Sequence, residues 1–475
     1  MAFKLEYLVA IVVYIILMLL AGEIGRKKIK GVADYYVAGR SLRGAFVGFS
    51  VFASAFSAGL FLGIVGFGYV GGYSALWFSI GSIAGNLIAV PILAPRLRRL
   101  SKKTGALTLP DFLLKRFNSK SVLIITAALL VLLYIPFMVS QLKGGGVIFA
   151  SLGLTYEWGV VIFGLITMIY VTVAGLYSVA YTDFIQGWIL LIGTLAMTPF
   201  ILQMVGGFDA MNAAYAAANP AGWSPWGTFG PIAILGLFFS MFIGSLARPH
   251  TMIQFMAAKS ENSLRRAYLI VIAANALIVP IVMIWGIAGR VLLPDIKADM
   301  SLPLLVTNFV PALLGGFIFI SLIAAILSTV NTTLLISGGA VANDIYKNGV
   351  NPKVSEKKTL IISKLAIILI MVVTIILSLW PPELLATWIA WTMGGMGVLF
   401  FILIYGGLYW KRMNKESALA GIISSMVSFG VWTALRSPFG IDASIIAVVV
   451  GIPVTIITAY LTPRPPKEII STFFE

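Results

Sequence analysis

Apolar residues in this chain fall into long unbroken runs divided by short polar stretches. The pattern is neither the alternation of a half-buried strand nor the one-sided period of a water-facing helix. Runs of about 17–25 residues, some longer, match the hydrocarbon thickness of a bilayer. They predict thirteen helices at 6–24, 45–70, 73–95, 120–150, 156–176, 179–205, 228–247, 266–292, 310–344, 359–380, 383–409, 417–435 and 443–462. Most loops are short, so the expected architecture is one all-α polytopic membrane bundle with no separate soluble domain. The first run lacks a basic leader and a small-residue cleavage site, and reads as a span rather than a cleaved signal.

The basic residues test this division. One alternating set of segments, beginning with the amino terminus, holds only Lys4, Lys143, Arg290, Lys297 and Arg436 of the 33 lysines and arginines. The other set holds the rest, including Arg26, Lys27, Lys28 and Lys30, then Arg96, Arg98, Arg99, Lys102, Lys103, Lys115, Arg116 and Lys120. Positively charged loops stay cytoplasmic, which puts the amino terminus outside and the carboxyl terminus inside. The segment from Thr104 to Phe117, with Pro110 and several charges, is expected as an amphipathic helix on the cytoplasmic surface. Residues 207–227 read as an external loop, and the proline-rich stretch after Thr462 as a short extended tail.

Composition agrees and narrows the chemistry. Of 475 residues, 60% are apolar and 11% charged, against about 45–50% and 25% for soluble proteins. The net charge of +16 follows loop topology, so no nucleic-acid partner is expected. Cysteine is absent and His250 is the one histidine, which excludes disulfides, thiolate metal sites, paired-histidine zinc motifs and bis-histidine haem. No nucleophile–base–acid set is present, so an enzyme is not expected.

Asp183 enters an apolar run near the inner start of helix six, where it is either functional or a first-turn carboxylate favoured by the helix dipole. Helix two carries Ser50-Val51-Phe52-Ala53-Ser54-Ala55-Phe56-Ser57-Ala58-Gly59 at mid-membrane depth. Such a run permits close helix packing or marks a broken helix whose carbonyls face a cavity. On helix nine, Ser321, Ala325, Ser328 and Thr332 share one face, with Thr329 beside them. These hydroxyls either bond back to carbonyls one turn earlier or offer oxygen ligands to a hard cation. Oxygen ligands without a titratable group suit Na⁺ better than H⁺. Helix seven ends Ser240-Met241-Phe242-Ile243-Gly244-Ser245-Leu246-Ala247-Arg248-Pro249-His250, where Gly244 and Ser245 allow a second break and Pro249 punctuates it. His250 reads as an interface residue or a proton relay. Lys143 should reach the external interface, there to snorkel or draw in anions. Weak breaks in helices two and seven, five apart, suit an inverted repeat of helices 2–6 and 7–11. That divides the single transporter domain of residues 1–475 into 1–44, a first repeat 45–205, a second 228–409, and accessory helices with the tail over 410–475.

From about Asp34 to about Trp410 the chain resembles the sodium:solute symporter family. The likeness is carried by Asp34-Tyr35-Tyr36-Val37-Ala38-Gly39-Arg40-Ser41 before helix two and by Thr172-Val173-Ala174-Gly175-Leu176-Tyr177-Ser178 with Tyr181-Thr182-Asp183-Phe184-Ile185-Gln186. Arg248-Pro249-His250 and Ala324-Ala325-Ile326-Leu327-Ser328-Thr329 complete it, in the family's order and spacing. A glycine pair usual in the second motif is Ala174-Gly175 here. The resemblance implies a leucine-transporter-type 5+5 inverted repeat and sodium-coupled uptake by alternating access in the plasma (inner) membrane. It further implies a co-transported sodium ion between helices two and nine, held by the backbone carbonyls of Ala53, Phe56 and Ala325 and the hydroxyls of Ser328 and Thr329. Asp183 matches an aspartate on the ion's route to the cytoplasm.

The implied partners are a small-molecule solute and the lipid bilayer, with the monomer as functional unit and larger assemblies left open. Proline-transporting members carry an aspartate in helix two where this chain has Ala55, and aromatic residues where it has Met241 and Ser245. The helix-four stretch Ser140-Gln141-Leu142-Lys143-Gly144-Gly145 and the end of helix seven are more similar to pantothenate and short monocarboxylate permeases. A carboxylate could rest on the amino end of a half-helix there without a buried arginine. The expected order is therefore monocarboxylate or pantothenate, then proline or another amino acid, then sugar, with passive facilitation as the rival mechanism. Candidate solute-binding residues are Ser54, Ser57, Gln141, Ser240, Met241, Gly244 and Ser245.

Overall fold

The computed structural model describes residues 5–173, 175–381 and 384–475; Lys4 and Ala174 lie outside them. The helices are α1 (Leu5–Arg26), α2a (Gly44–Ala55) and α2b (Val65–Gly71), α3 (Ala75–Thr104), α4 (Lys120–Ser151), α5 (Tyr156–Val173), α6 (Leu176–Met204), α7a (Gly230–Leu246) and α7b (Pro249–Ala257). They continue as α8 (Glu261–Leu292), α9 (Ala312–Gly339), α10 (Glu356–Ser378), α11 (Leu385–Tyr409), α12 (Lys415–Ala434) and α13 (Ala443–Leu461). Each predicted run falls on one of these, and among the described residues eleven stretches are long and apolar enough to cross a membrane. One of the eleven, Phe61–Thr104, takes in α2b and α3 together, while Gly44–Ala55 and Tyr156–Thr172 are shorter apolar helices.

Local chemistry sets the ends. Thr108 accepts a hydrogen bond from the Asp111 amide at 3.1 Å and caps the amphipathic helix Leu109–Phe117. Pro91 inside α3 removes the hydrogen bond to the Leu87 carbonyl, which the Tyr268 hydroxyl from α8 meets instead at 3.4 Å. The tail is extended only to Pro466 and then forms a helix, Lys467–Phe474. Its aromatic end covers apolar surface beside Arg116, a burial that a proline-rich composition concealed.

The two five-helix groups mirror each other in their packing. α2a lies against α6 and α8 as α7a lies against α11 and α3. α4 lies against α5, α10 and α11 as α9 lies against α10, α5 and α6, and α4 and α9 touch each other. Exchanging the groups returns the same set of neighbours, which is how an inverted repeat packs. α1 seats on α6 and α9, while α12 and α13 pair with each other beside α11.

Small residues make the tightest crossings possible. A Cβ at Gly397 of α11 would stand 2.5 Å from the Gly244 amide nitrogen of α7a, and one at Gly244 would stand 2.6 Å from the Met393 carbonyl oxygen. Backbones this close gain dispersion contact that no larger residue permits.

Lys143 does not snorkel. It is buried, and its Nζ lies 2.5 Å from Asp299 Oδ2, in the turn Ala298–Met300 between α8 and α9. The same carboxylate accepts the Leu385 amide at 3.2 Å. One ion pair thus ties α4, an extramembrane loop and the start of α11. Burial pushes the Asp299 carboxyl above its usual range, against the opposing pull of Lys143.

Two outcomes follow from this packing. Gly397→Ala should lower the thermal midpoint of the purified protein, by the roughly 1–3 kcal/mol that overpacking costs; an unaltered midpoint would mean α7a and α11 have room to part. Lys143→Met should destabilise by about 3–5 kcal/mol by taking the charged partner from a buried carboxyl that then keeps only the Leu385 amide. The double substitution with Asp299→Leu should recover most of that loss in the same unfolding measurement.

Candidate functional site

Helix two is broken, not merely close-packed. α2a ends at Ala55, Phe56 takes φ −88° and ψ 62°, and a π-helical turn, Gly59–Ile64, leads into α2b. The break frees backbone groups in the interior, and side chains from neighbouring helices satisfy them. Gln141 Oε1 of α4 accepts the Ala58 amide at 2.9 Å, and Ser57 Oγ accepts the Gly59 amide at 3.2 Å. Gln141 therefore braces the break and does not line the cavity described below.

The hydroxyls of α9 meet the carbonyl side of the same break. Ser328 Oγ lies 2.9 Å from the Ala53 carbonyl oxygen and 3.1 Å from that of Ala325. Thr329 Oγ1 lies 3.1 Å from the carbonyl oxygens of both Ser54 and Ala325. Bonding back along α9 and reaching across to α2a, which the sequence posed as alternatives, occur together. Four of the five anticipated sodium ligands converge here: Ala53, Ala325, Ser328 and Thr329. The Ser54 carbonyl joins them, unforeseen because only its side chain had been considered. Phe56 stands at the break with its ring against Phe52, at 4.6 Å between centroids, and its carbonyl is outside this set of contacts.

Asp183 is neither cap nor first-turn residue. The cap of α6 is Gly175, which puts Asp183 about two turns inside the helix, fully buried. Ser50 Oγ donates a short hydrogen bond to Asp183 Oδ2, and Oδ1 is buried without a partner. Gln254 of α7b donates to Ser50 Oγ at 2.9 Å and to Ser54 Oγ at 3.2 Å. A polar chain thus runs from the hydroxyl–carbonyl cluster through Ser54, Gln254 and Ser50 to Asp183. Gln254 was missed because an amide in a short half-helix leaves no trace in an apolar pattern. Asp344 was missed too; it is buried where α9 continues as a π helix, accepting from Thr108 Oγ1 at 2.6 Å.

Beside the break is a narrow cavity of about 20 Å³, room for little more than a water molecule as the side chains stand. Ser54, Phe56 and Ser57 of helix two, Ser79 and Ser82 of α3, Phe137 of α4, Met241 of α7a, Asn275 of α8 and Met393 of α11 line it. Arg248 and His250, at the break between α7a and α7b, complete the wall. Pro249 occupies the first helical position of α7b, where its missing N–H costs nothing. His250 is 1% exposed and so is no interface residue. Its Nδ1 lies 3.1 Å from the Tyr134 hydroxyl and its ring stacks on Phe137.

Arg248 is buried, contrary to the expectation of a site without such an arginine. Its Nη2 donates to Ser245 Oγ at 2.7 Å and Ser82 Oγ at 3.3 Å, and its Nε has no hydrogen-bond partner. No carboxylate pairs with it among the described residues. Of the anticipated solute-binding residues, Ser54, Ser57 and Met241 face the cavity, and Ser245 holds Arg248 from behind. Besides Gln141, two more do not belong to it. Ser240 donates to Asp442 Oδ1 at 2.7 Å, on the side of α7a turned to α13, and Gly244 is pressed against α11.

Comparison with known proteins places this geometry. The model of the sodium:solute symporter family matches residues 35–425. A sodium/proline symporter of Staphylococcus aureus (strain USA300) is 30% identical, over 96% of this chain and 93% of its own. A protein of the same description from strain JH9 is 29% identical over the same shares. Among solved structures, a Na⁺-coupled sialic acid symporter in a substrate-bound outward-open state superposes with a TM-score of 0.82 at 22% identity, covering 97% of this chain and 98% of that one. A nucleobase-cation-symport-1 family transporter in a closed conformation gives 0.54 at 16% identity, over 92% and 97%. The fold is therefore the leucine-transporter-type bundle, and the chain, a multi-pass membrane protein that couples solute movement to sodium, belongs to the sodium:solute symporter family.

Proposed function

We propose that this symporter imports a small solute bearing one carboxylate, a monocarboxylate or pantothenate foremost, by alternating access. The reading rests on one observation above all: a buried guanidinium with an unused Nε–H on the wall of a central cavity, and no countercharge beside it. A buried cation is costly unless paired, and the guanidinium fork suits a carboxylate. The remaining wall, with Phe56, Phe137, Met241 and Met393, is apolar and matches the body of a small solute once the helices part to admit it.

Sodium is held, on this reading, by the carbonyls of Ala53, Ser54 and Ala325 and the hydroxyls of Ser328 and Thr329, with the Phe56 carbonyl turning in to complete the shell. The ion then fastens α2a to α9. Because Ser54 to Ser57 also form the cavity wall, filling the ion site fixes the shape the solute meets. That is the coupling. Ser54, Gln254, Ser50 and Asp183 mark the ion's path to the cytoplasm. Thirteen crossings, counting α2a with α2b and α7a with α7b as single broken spans, put the amino terminus outside and the basic loops inside the plasma membrane.

A second reading is favoured by the description of the Staphylococcus aureus relatives as sodium/proline symporters. Proline also presents a carboxylate to Arg248. Its ammonium would have to rely on backbone carbonyls of the helix-two break, since no acidic side chain lines the cavity.

Uptake into proteoliposomes at fixed membrane potential separates the readings, with labelled pantothenate, pyruvate, acetate, proline and glucose compared under inward Na⁺ and K⁺ gradients. One carboxylate-bearing compound should accumulate with Na⁺ alone, and Arg248→Gln should raise its half-saturation roughly thirty-fold or more, as expected when a buried charge loses its partner. Accumulation of glucose would overturn the carboxylate reading, and equal uptake in both salts would leave facilitation. Ser328→Ala should raise the Na⁺ concentration for half-maximal uptake while saturating Na⁺ restores solute affinity; an unchanged Na⁺ dependence would count against the α9 ligands.

A further inference from the structure

Across α11 and α13, away from the central cavity, runs a groove of about 410 Å³. Phe401, Ile402, Tyr405, Ile452, Ile456 and Tyr460 line most of it. Its one hydroxyl outside the aromatic rings, Thr455 Oγ1, is spent on the Gly451 carbonyl at 2.7 Å. The Tyr405 hydroxyl likewise donates to the Leu246 carbonyl at 3.0 Å, so the wall is chiefly apolar and the groove suits a hydrocarbon chain.

Its end at the tail is different. Arg412 lies with its guanidinium 4.8 Å over the Tyr460 ring and donates from Nη2 to the Tyr460 carbonyl at 3.2 Å. Its Nε is buried with no hydrogen-bond partner. A second cavity of about 280 Å³ adjoins here, lined by Arg116, Lys415 and Arg464, with Glu416 as its one carboxylate. Glu416 Oε1 is 3.8 Å from Lys415 Nζ, so the cationic character remains after that pairing. The two spaces share a wall: Arg116 Nη2 donates to the carbonyls of Trp410 and Met413, at 3.2 and 3.1 Å, and both residues line the groove. An apolar channel opening onto a cluster of cations has the chemistry of one kind of occupant, an amphiphile with a negative head.

We propose that this groove holds an acyl chain of an anionic phospholipid whose phosphate is bound by Arg412 and Arg464 at its basic end. A soluble anion would use the cationic cavity and ignore the groove; an uncharged lipid would use the groove and ignore the arginines. The site requires both.

The test uses the full chain in mixed micelles holding phosphatidylglycerol and phosphatidylcholine at equal mole fraction, with bound lipid counted by native mass spectrometry. Phosphatidylglycerol should be retained in preference. Arg464→Gln, at an exposed position where folding is not at stake, should reduce that preference roughly fivefold, the effect of one cation near an anionic head. Adding Arg412→Gln should reduce it further, and Lys358→Gln in the exposed first turn of α10 should leave it intact. Ile456→Trp, which fills the groove without changing charge, should lower lipid retention altogether. Equal retention of the two lipids by the unaltered chain would overturn the proposal, as would a preference that survives both arginine substitutions. Glycerol phosphate displacing the lipid at equal concentration would reduce the site to an anion pocket and overturn it as well.

Discussion

A backbone carbonyl without a partner costs several kcal/mol in a medium without water, and α2 leaves its helix in the middle of such a medium. The break survives because α9 carries two adjacent hydroxyls at the right height. Ser328 and Thr329 each reach one carbonyl of α2a and one of their own helix. Oxygen atoms from two helices are brought together to satisfy backbone, and on the proposed reading the same atoms would hold the sodium ion. The cavity, the polar chain to Asp183 and the break in helix seven lie around this arrangement.

Close packing keeps that arrangement in register. Gln141 braces the far side of the break from α4, and the Gly244–Gly397 crossing brings α7a against α11 so that Arg248 is delivered to the cavity wall. α2a–α2b and α7a–α7b are equivalent elements of the two groups, and both unwound segments border the same cavity. One contributes oxygens and the other a cation. Their neighbours, α4 and α9, are unbroken and touch each other, which gives the discontinuous helices a continuous frame.

The helices were legible because length and apolarity alone determine where a chain crosses a bilayer. The hydroxyl face of α9 that meets the break was legible for a related reason, since neighbouring hydroxyls amid Ile and Leu stand out. What the pattern hides is direction. Arg248 looks like one more basic residue at a loop, yet it turns inward because Ser82 and Ser245 receive it. Ser240 has the same composition-level appearance as Ser54, but helical rotation points it to Asp442. Partners far apart in the chain were equally hidden: nothing near Lys143 announces Asp299, and nothing near Ser50 announces Gln254.

The Lys143–Asp299 pair has a consequence for how that end of the protein parts. Attraction between unit charges varies inversely with the dielectric around them, falling about fourfold between an effective value of 20 in protein and 80 in water. The first water molecule admitted between Nζ and the carboxylate therefore weakens what held it out, and hydration of the separated ions rewards the second and third. Separation of α4 from the loop before α9 is accordingly a wetting transition, abrupt and self-propagating, with few stable stages between a dry seal and a flooded one.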